Sequence, residues 1–161
     1  MRLVVQRVSR AEVRSGGRVV GQIARGLLVL IGAERGDDGV SAEEAARKIA
    51  GLRIFEDAQE KMNLALADVG GGVLVVSQFT LAADLSRGRR PGFEKALSAS
   101  EARPIYEHFA KTLEILGVPV ATGAFGEKME VELVNDGPAT FILEVKIADS
   151  KFKSDSADPE S

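Results

Sequence analysis

The sequence predicts one α+β domain with more strand than helix, and three observations carry that expectation. Short apolar or alternating runs bounded by glycine recur from Leu3 to Ile147, as strands do. Only two stretches repeat apolar residues at helical spacing, one after Ser41 and one after Ser100. The chain of 161 residues shows no internal repeat and no linker, and is long enough for one substantial core.

Leu3–Val8 opens as a strand, and Glu12-Val13-Arg14 is a second extended piece. Gly16-Gly17 then reads as a hairpin turn into Val19–Ile23. Gly26–Gly32 is an unbroken apolar run between glycines and so a central strand. Ser41-Ala42-Glu43-Glu44 has capping-box spacing, and Ala45, Ala46, Ile49 and Leu52 continue it as a helix. Arg53-Ile54-Phe55 leaves that helix, and Met62-Asn63-Leu64 reads as a short extended piece before the Gly70–Gly72 turn.

Val73–Val76 is four consecutive β-formers, predicted to be buried on both faces. The chain then changes character within one residue, because Ser77, Gln78 and Thr80 crowd hydrogen-bonding side chains around Phe79. Polar groups at the end of a buried strand must find partners, in the protein, in water or in a ligand. A strand end capped by its own hydroxyls and the rim of a binding site are both open at this point. The loop Asp84–Phe93 holds Arg87, Arg89 and Arg90 with two glycines and a proline, either a solvated basic loop or a rim for an anion.

Ser100 is the predicted cap of the second helix, which runs to Leu116 and stops at Gly117, with Pro104 in its first turn. Ile105, Phe109, Thr112, Leu113 and Leu116 form its apolar stripe, and His108 flanks it. Val118–Thr122 is a strand, and Gly123–Gly126 a turn. Lys128–Leu133 and Phe141–Ile147 alternate as half-exposed strands, with Asn135–Thr140 read as the hairpin turn between them. The domain is expected to span residues 1–147, and the charged segment 148–161 to be a disordered tail.

Composition removes several chemistries. The chain has no cysteine and one histidine, His108, so thiolate sites, cysteine nucleophiles and a two-histidine zinc site within one chain are excluded. A serine–histidine–acid triad would need His108 beside Ser77 or Thr80, from a helix whose apolar face points elsewhere. There is no phosphate-binding glycine loop and no glycine-x-serine-x-glycine elbow. The net charge of −3 argues against a broad nucleic-acid-binding face but not against gripping a single-stranded end. No window is apolar enough to cross a bilayer, and charge interrupts the N-terminus too early for a secretory signal, so a cytoplasmic protein without membrane partners is expected. A hydrolase built from these residues must lean on backbone amides, hydroxyls or a group of its substrate.

Ser77-Gln78-Phe79-Thr80-Leu81-Ala82-Ala83-Asp84, followed by Arg87-Gly88-x-Arg90-Pro91-x-Phe93, resembles the signature of D-aminoacyl-tRNA deacylases. Asn135-Asp136-Gly137-Pro138-Ala139-Thr140 is similar to that family's glycine–cis-proline motif, and Val5–Val8, Arg53–Phe55 and Lys61–Leu64 match in order. The resemblance covers about residues 1–147. It implies a homodimer with a barrel-like sheet and two main helices, its active sites at the subunit interface, and no metal or other cofactor. Ser77, Gln78, Phe79 and Thr80 would line the pocket for the tRNA acceptor end, and Gly137 and Pro138, braced by Arg7, would enter the partner's pocket and exclude an L side chain. Those four, Ser77, Gln78, Phe79 and Thr80, would form the catalytic site, with Thr80 the natural candidate for nucleophile. The resemblance instead favours RNA-assisted hydrolysis through the 2′-hydroxyl of the terminal adenosine, with backbone N–H groups near Phe79 and Thr80 on the oxyanion, and glycyl-tRNA(Ala) would be a second substrate. Ala139 departs from the valine common at that place. The rival expectation is a non-catalytic module that binds a tRNA end or a peptide in the same pocket.

Overall fold

The computed structural model describes residues 1–146 of the chain, so Ile147 and the tail 148–161 lie outside the described residues. Its sheet is organised around one long strand, β1 (Arg2–Ser15). Along one edge β1 pairs antiparallel with β2 (Arg18–Ile23) and then with β3 (Gly26–Gly32). Along the other it pairs with β8 (Glu130–Glu144) over nearly its whole length. The two extended pieces read separately in the sequence are therefore one strand. Register shifts around Val8 turn its side chains over, so that Leu3 and Val5 face one core and Val8, Ala11 and Val13 the other.

The remaining strands join through helical crossovers. β3 leads into α1 (Gly39–Gly51), the short ladder of β4 (Phe55–Glu56) with β5 (Met62–Leu64), and the single turn α2 (Leu66–Val69). The chain then returns as β6 (Gly72–Ser77), parallel to β3. After α3 (Ala99–Ile115), β7 (Val120–Thr122) lies parallel to β6. β3 and β6 are buried almost throughout, as parallel strands covered on both faces should be.

One face of the sheet lies under the helices. Ala42, Ala45, Ala46 and Ile49 of α1 and Phe109 and Leu113 of α3 are fully buried against Leu3, Val5, Leu27, Val29, Val73 and Val75. Burial at this level is worth roughly 1.5–3 kcal/mol for each large side chain. The other face curls on itself around Val8, Val13, Leu28, Leu74 and Val76. Here β2 and β7, the two ends of the strand order β2-β1-β3-β6-β7, come together. A Cβ at Gly21 would lie 2.3 Å from the Thr122 carbonyl oxygen, so glycine permits the approach that almost closes the barrel. No helix of the described residues is long and apolar enough to cross a membrane.

Both helix starts lie upstream of the predicted ones. Asp38 caps α1, accepting from the Val40 and Ser41 amides at 2.9 and 3.2 Å, while Ser41 Oγ accepts back from the Asp38 amide. Ser41 is thus the last residue of a capping box, at N3, not its first. Ser98 caps α3, accepting from the Glu101 amide and donating to its carboxylate, so Pro104 lies inside the helix and not in its first turn. Tyr106 and Ala110 join the buried stripe, whereas Leu116 is the exposed C-cap. His108 pairs with Glu43 of α1, their Nε2 and Oε1 2.9 Å apart, as a bridge between the helices.

The largest correction concerns β8. Lys128–Leu133 and Phe141 onward do not form a hairpin. Both halves pair with β1, Leu133 opposite Ala11 and Phe141 opposite Val5, so the chain continues in one direction through Asn135–Thr140. The turn residues there produce a bulge within one strand. Turn chemistry marks a local departure from the ladder, and in this case the strand resumes on the same partner.

Candidate functional site

β6 delivers its polar end to the surface. Val73–Val76 are buried, Ser77 and Gln78 half-buried, and the chain then tightens into a 3-10 turn, Phe79–Ala82. The Gln78 amide donates to the Ile31 carbonyl at 2.8 Å, continuing the ladder one residue past Ser77. Its side-chain Nε2 donates to Thr80 Oγ1. Part of the polar cluster thus caps itself. The backbone amides of Phe79 and Thr80 open the turn, where helical N–H groups have no partner within the helix.

A cleft of about 490 Å³ opens at this strand end. Ser77, Gln78 and Phe79 form one wall, with Leu97 and the first turn of α3 beside them and Phe125, Glu127 and Met129 opposite. Hollows of about 400 and 460 Å³ exist elsewhere, one beside Met1 and Asp37 and one between α3 and Phe125. The cleft at β6 differs in having a mainly apolar lining with a few polar groups, the composition that binds small ligands. Phe79 remains 57% exposed, its ring 5.3 Å from that of Phe93.

Thr80 does not line this cleft but stands at its margin, joined through Gln78. His108 is not on its wall, being held at Glu43. Behind the wall, Tyr106 donates to the Val75 carbonyl at 3.2 Å, and burial, the main cause, pushes its phenol above the ordinary value. That phenol stays protonated at neutral pH and offers no base. Among the described residues no group of three or more histidines and carboxylates is placed to hold a metal ion.

The sequence reading missed Phe125 and Glu127. A signal for Phe125 was present, since an aromatic within the glycine turn 123–126 must find cover; it packs on Tyr106 at 5.4 Å with the Arg103 guanidinium over its ring. Glu127 had no such signal. It is held by a hydrogen bond from Ser15 Oγ at 2.8 Å, a partner distant in sequence.

The second motif is elsewhere. Gly137 and Pro138 are exposed at the tip of the β8 bulge, and neither they nor Arg7 line the cleft. Their peptide bond is cis. Gly137 has φ 150°, and a Cβ there would lie 2.6 Å from the Ala139 nitrogen, so the position requires glycine.

Beneath the tip, Arg7 is 3% exposed, donating from NH1 to the Ile54 carbonyl at 2.7 Å and from Nε to the Asp136 carbonyl at 3.0 Å. The carboxylates of Asp136 and Glu56 lie 3.3 and 3.6 Å from the guanidinium. Asn135 closes the bulge with three hydrogen bonds, donating to the Arg7 and Ala139 carbonyls and accepting from the Ala139 amide. Ala139 is buried beneath.

Residues 4–144 match the family model described as D-Tyr-tRNA(Tyr) deacylase. A D-aminoacyl-tRNA deacylase of Symbiobacterium thermophilum is 54% identical over 144 residues, covering 89% of this chain and 95% of the relative. One of Thermomicrobium roseum is 56% identical, covering 89% and 94%. Among solved structures, the c-Myc DNA unwinding element binding protein superposes with a TM-score of 0.86 at 38% identity, covering 91% of this chain and 99% of that one. A probable eukaryotic D-amino acid tRNA deacylase, at 17% identity and a TM-score of 0.76, shares the fold over 88% of this chain and 97% of its own.

Proposed function

The chain belongs to the D-Tyr-tRNA(Tyr) deacylase family, and on that premise we propose that it hydrolyses the ester of D-aminoacyl-tRNA in the cytoplasm, releasing free tRNA and the amino acid. The observation that carries this reading is the cleft at the end of β6, where Ser77, Gln78 and Phe79 meet an apolar wall with no histidine on it. An esterase with such a cleft needs its base from elsewhere. The 2′-hydroxyl of the terminal adenosine supplies it in this reading, helping to activate water. The water oxygen attacks the ester carbonyl, the bond to the ribose oxygen breaks, and that oxygen leaves as a hydroxyl. Backbone amides at Phe79 and Thr80 stabilise the oxyanion, a type of interaction worth about 2.7–4 kcal/mol per donor.

Selectivity falls to the second motif. Enantiomers carry identical groups, so a steric stop serves better than tighter binding. The carbonyls of Gly137 and Pro138 take the substrate's amino group and leave no room for an L side chain, so that D-aminoacyl and glycyl esters, including glycyl-tRNA(Ala), are accepted. Since this tip lies outside the chain's own cleft, it acts in the cleft of a second copy. Support for a homodimer comes from β8, whose other edge has no partner strand among the described residues and whose Ile142 is 72% exposed.

The test is deacylation of matched D- and L-tyrosyl-tRNA by the purified protein, with EDTA in one arm. Loss of the D ester alone, at a rate indifferent to EDTA, is the expected result. Survival of both esters with tRNA still bound would leave a binding module in place of an enzyme. Cleavage of both would retain the cleft but remove the selectivity assigned to Gly137 and Pro138, with Ala139 the first position to change.

A further inference from the structure

We propose that the loop carrying Arg87, Arg89 and Arg90 grips the phosphates of the RNA acceptor stem whose 3′ end enters the cleft, an inference that rests on the deacylase reading and adds a contact surface to it. The loop is anchored at its base. Asp84 and Gly92 exchange backbone hydrogen bonds of 2.7 and 2.9 Å, and the next residue, Phe93, packs on Phe79 of the cleft wall. The arginines are therefore carried on a short stem beside the mouth of the site.

The loop's one carboxylate is engaged by its own neighbour rather than by an arginine. Asp84 Oδ1 accepts from Ser86 Oγ at 2.6 Å and from the Ser86 amide at 2.9 Å, and these bonds hold its carboxyl below the ordinary value. All three arginines are exposed, and none pairs with a carboxylate among the described residues. Elsewhere the exposed arginines Arg10, Arg14, Arg47 and Arg103 each meet a glutamate, as does the half-buried Arg2. Arg25 lies over the Phe55 ring and Arg53 bonds Asn63, while Arg18 and Arg35, also without a carboxylate partner among the described residues, stand singly in sequence and not in a cluster. Three unpaired guanidiniums in a chain of net charge −3 thus form a local cationic patch. Guanidinium groups match phosphate oxygens in bidentate geometry, and phosphates spaced along a strand fit a row of them better than one anion does. Continuity with the cleft favours RNA as the partner, because a tRNA presents its stem phosphates next to the ester-bearing end.

The test uses the triple variant R87A/R89A/R90A and the charge-preserving R87K/R89K/R90K. Binding of an uncharged acceptor-stem hairpin with its single-stranded 3′ end is measured across salt, and kinetics are run on D-tyrosyl-tRNA and on D-tyrosyl-adenosine, which lacks the stem. The alanine variant should bind the hairpin at least about tenfold more weakly, and its log–log salt slope should fall by roughly 0.9 for every duplex phosphate that is no longer neutralised. KM for the tRNA ester should rise with kcat kept, and the adenosine ester should be hydrolysed as before. The lysine variant should keep the salt slope, a matter of charge, while its affinity falls between those of the alanine variant and the wild type. An unchanged affinity and slope would overturn the proposal, as would equal losses on both esters or wild-type preference for polyglutamate over the hairpin. If the wild type cleaves neither ester, the deacylase reading fails, while the hairpin arm still decides the loop.

Discussion

The two sequence motifs are held by opposite means. The wall at Ser77–Phe79 is the last step of a strand whose preceding residues, Val73 to Val76, are almost wholly buried, so its position is set by apolar packing. The bulge at Gly137–Pro138 has an exposed tip and is held from beneath by the hydrogen bonds of Arg7 and Asn135. Packing tolerates the removal of a surface hydroxyl, whereas a polar scaffold gives up several hydrogen bonds when one member goes. The site should therefore be robust at the wall and brittle at the bulge, and more brittle still if the bulge must be presented to a second copy.

The largest effect is expected from separating the copies. Ile142→Asp places a charge on the exposed edge of β8, two residues beyond the bulge segment. In light scattering the variant should run as a monomer with unaltered circular dichroism, and its D-ester hydrolysis should be lost. An active monomer would refute the assignment of Gly137 and Pro138 to the partner's cleft.

Arg7→Ala comes next. It removes two hydrogen bonds from a charged donor, each worth about 1.5–3 kcal/mol, and leaves the Ile54 and Asp136 carbonyls without that partner. A destabilisation of about 3 kcal/mol in urea unfolding is expected, with a larger fall in discrimination between D and L esters than in cleavage of the D ester. Equal falls for both would show that Arg7 supports the fold generally and not the bulge.

This contrast also sorts what the sequence made legible. β3 and β6 were plain because runs such as Leu27–Ile31 and Val73–Val76 have one physical use, burial on both faces. The polar end at Ser77–Thr80 was legible for the same reason, as a break in such a run. The helix starts slipped by two or three residues because Ser41 and Ser100 looked like caps, while Asp38 and Ser98 made the better reciprocal bonds. The bulge was misread because Asn135–Pro138 has the composition of a reversal, and only the pairing of both flanks with β1 shows that none occurs. Local chemistry bends the chain, but long-range register decides the direction in which it leaves the bend. Glu127 was invisible since its hydrogen-bond partner, Ser15, is more than a hundred residues away in sequence.

The smallest effect should come from Thr80, although its hydroxyl is the most nucleophile-like group in the sequence motif. Thr80 lies at the margin of the cleft, its Oγ1 engaged by Gln78 Nε2, and the chain's one histidine is bound to Glu43. A hydroxyl without a base is a poor nucleophile. Thr80→Ala should lower kcat on D-tyrosyl-tRNA by less than about tenfold, the equivalent of about 1.4 kcal/mol in the barrier. A substrate whose terminal ribose lacks the 2′-hydroxyl should lose far more than that with the unaltered enzyme. The two measurements belong together, because each names a different source for the missing base. If Thr80→Ala abolishes turnover while tRNA binding persists, the attacking group is on the protein, and the wall would then be as brittle as the bulge.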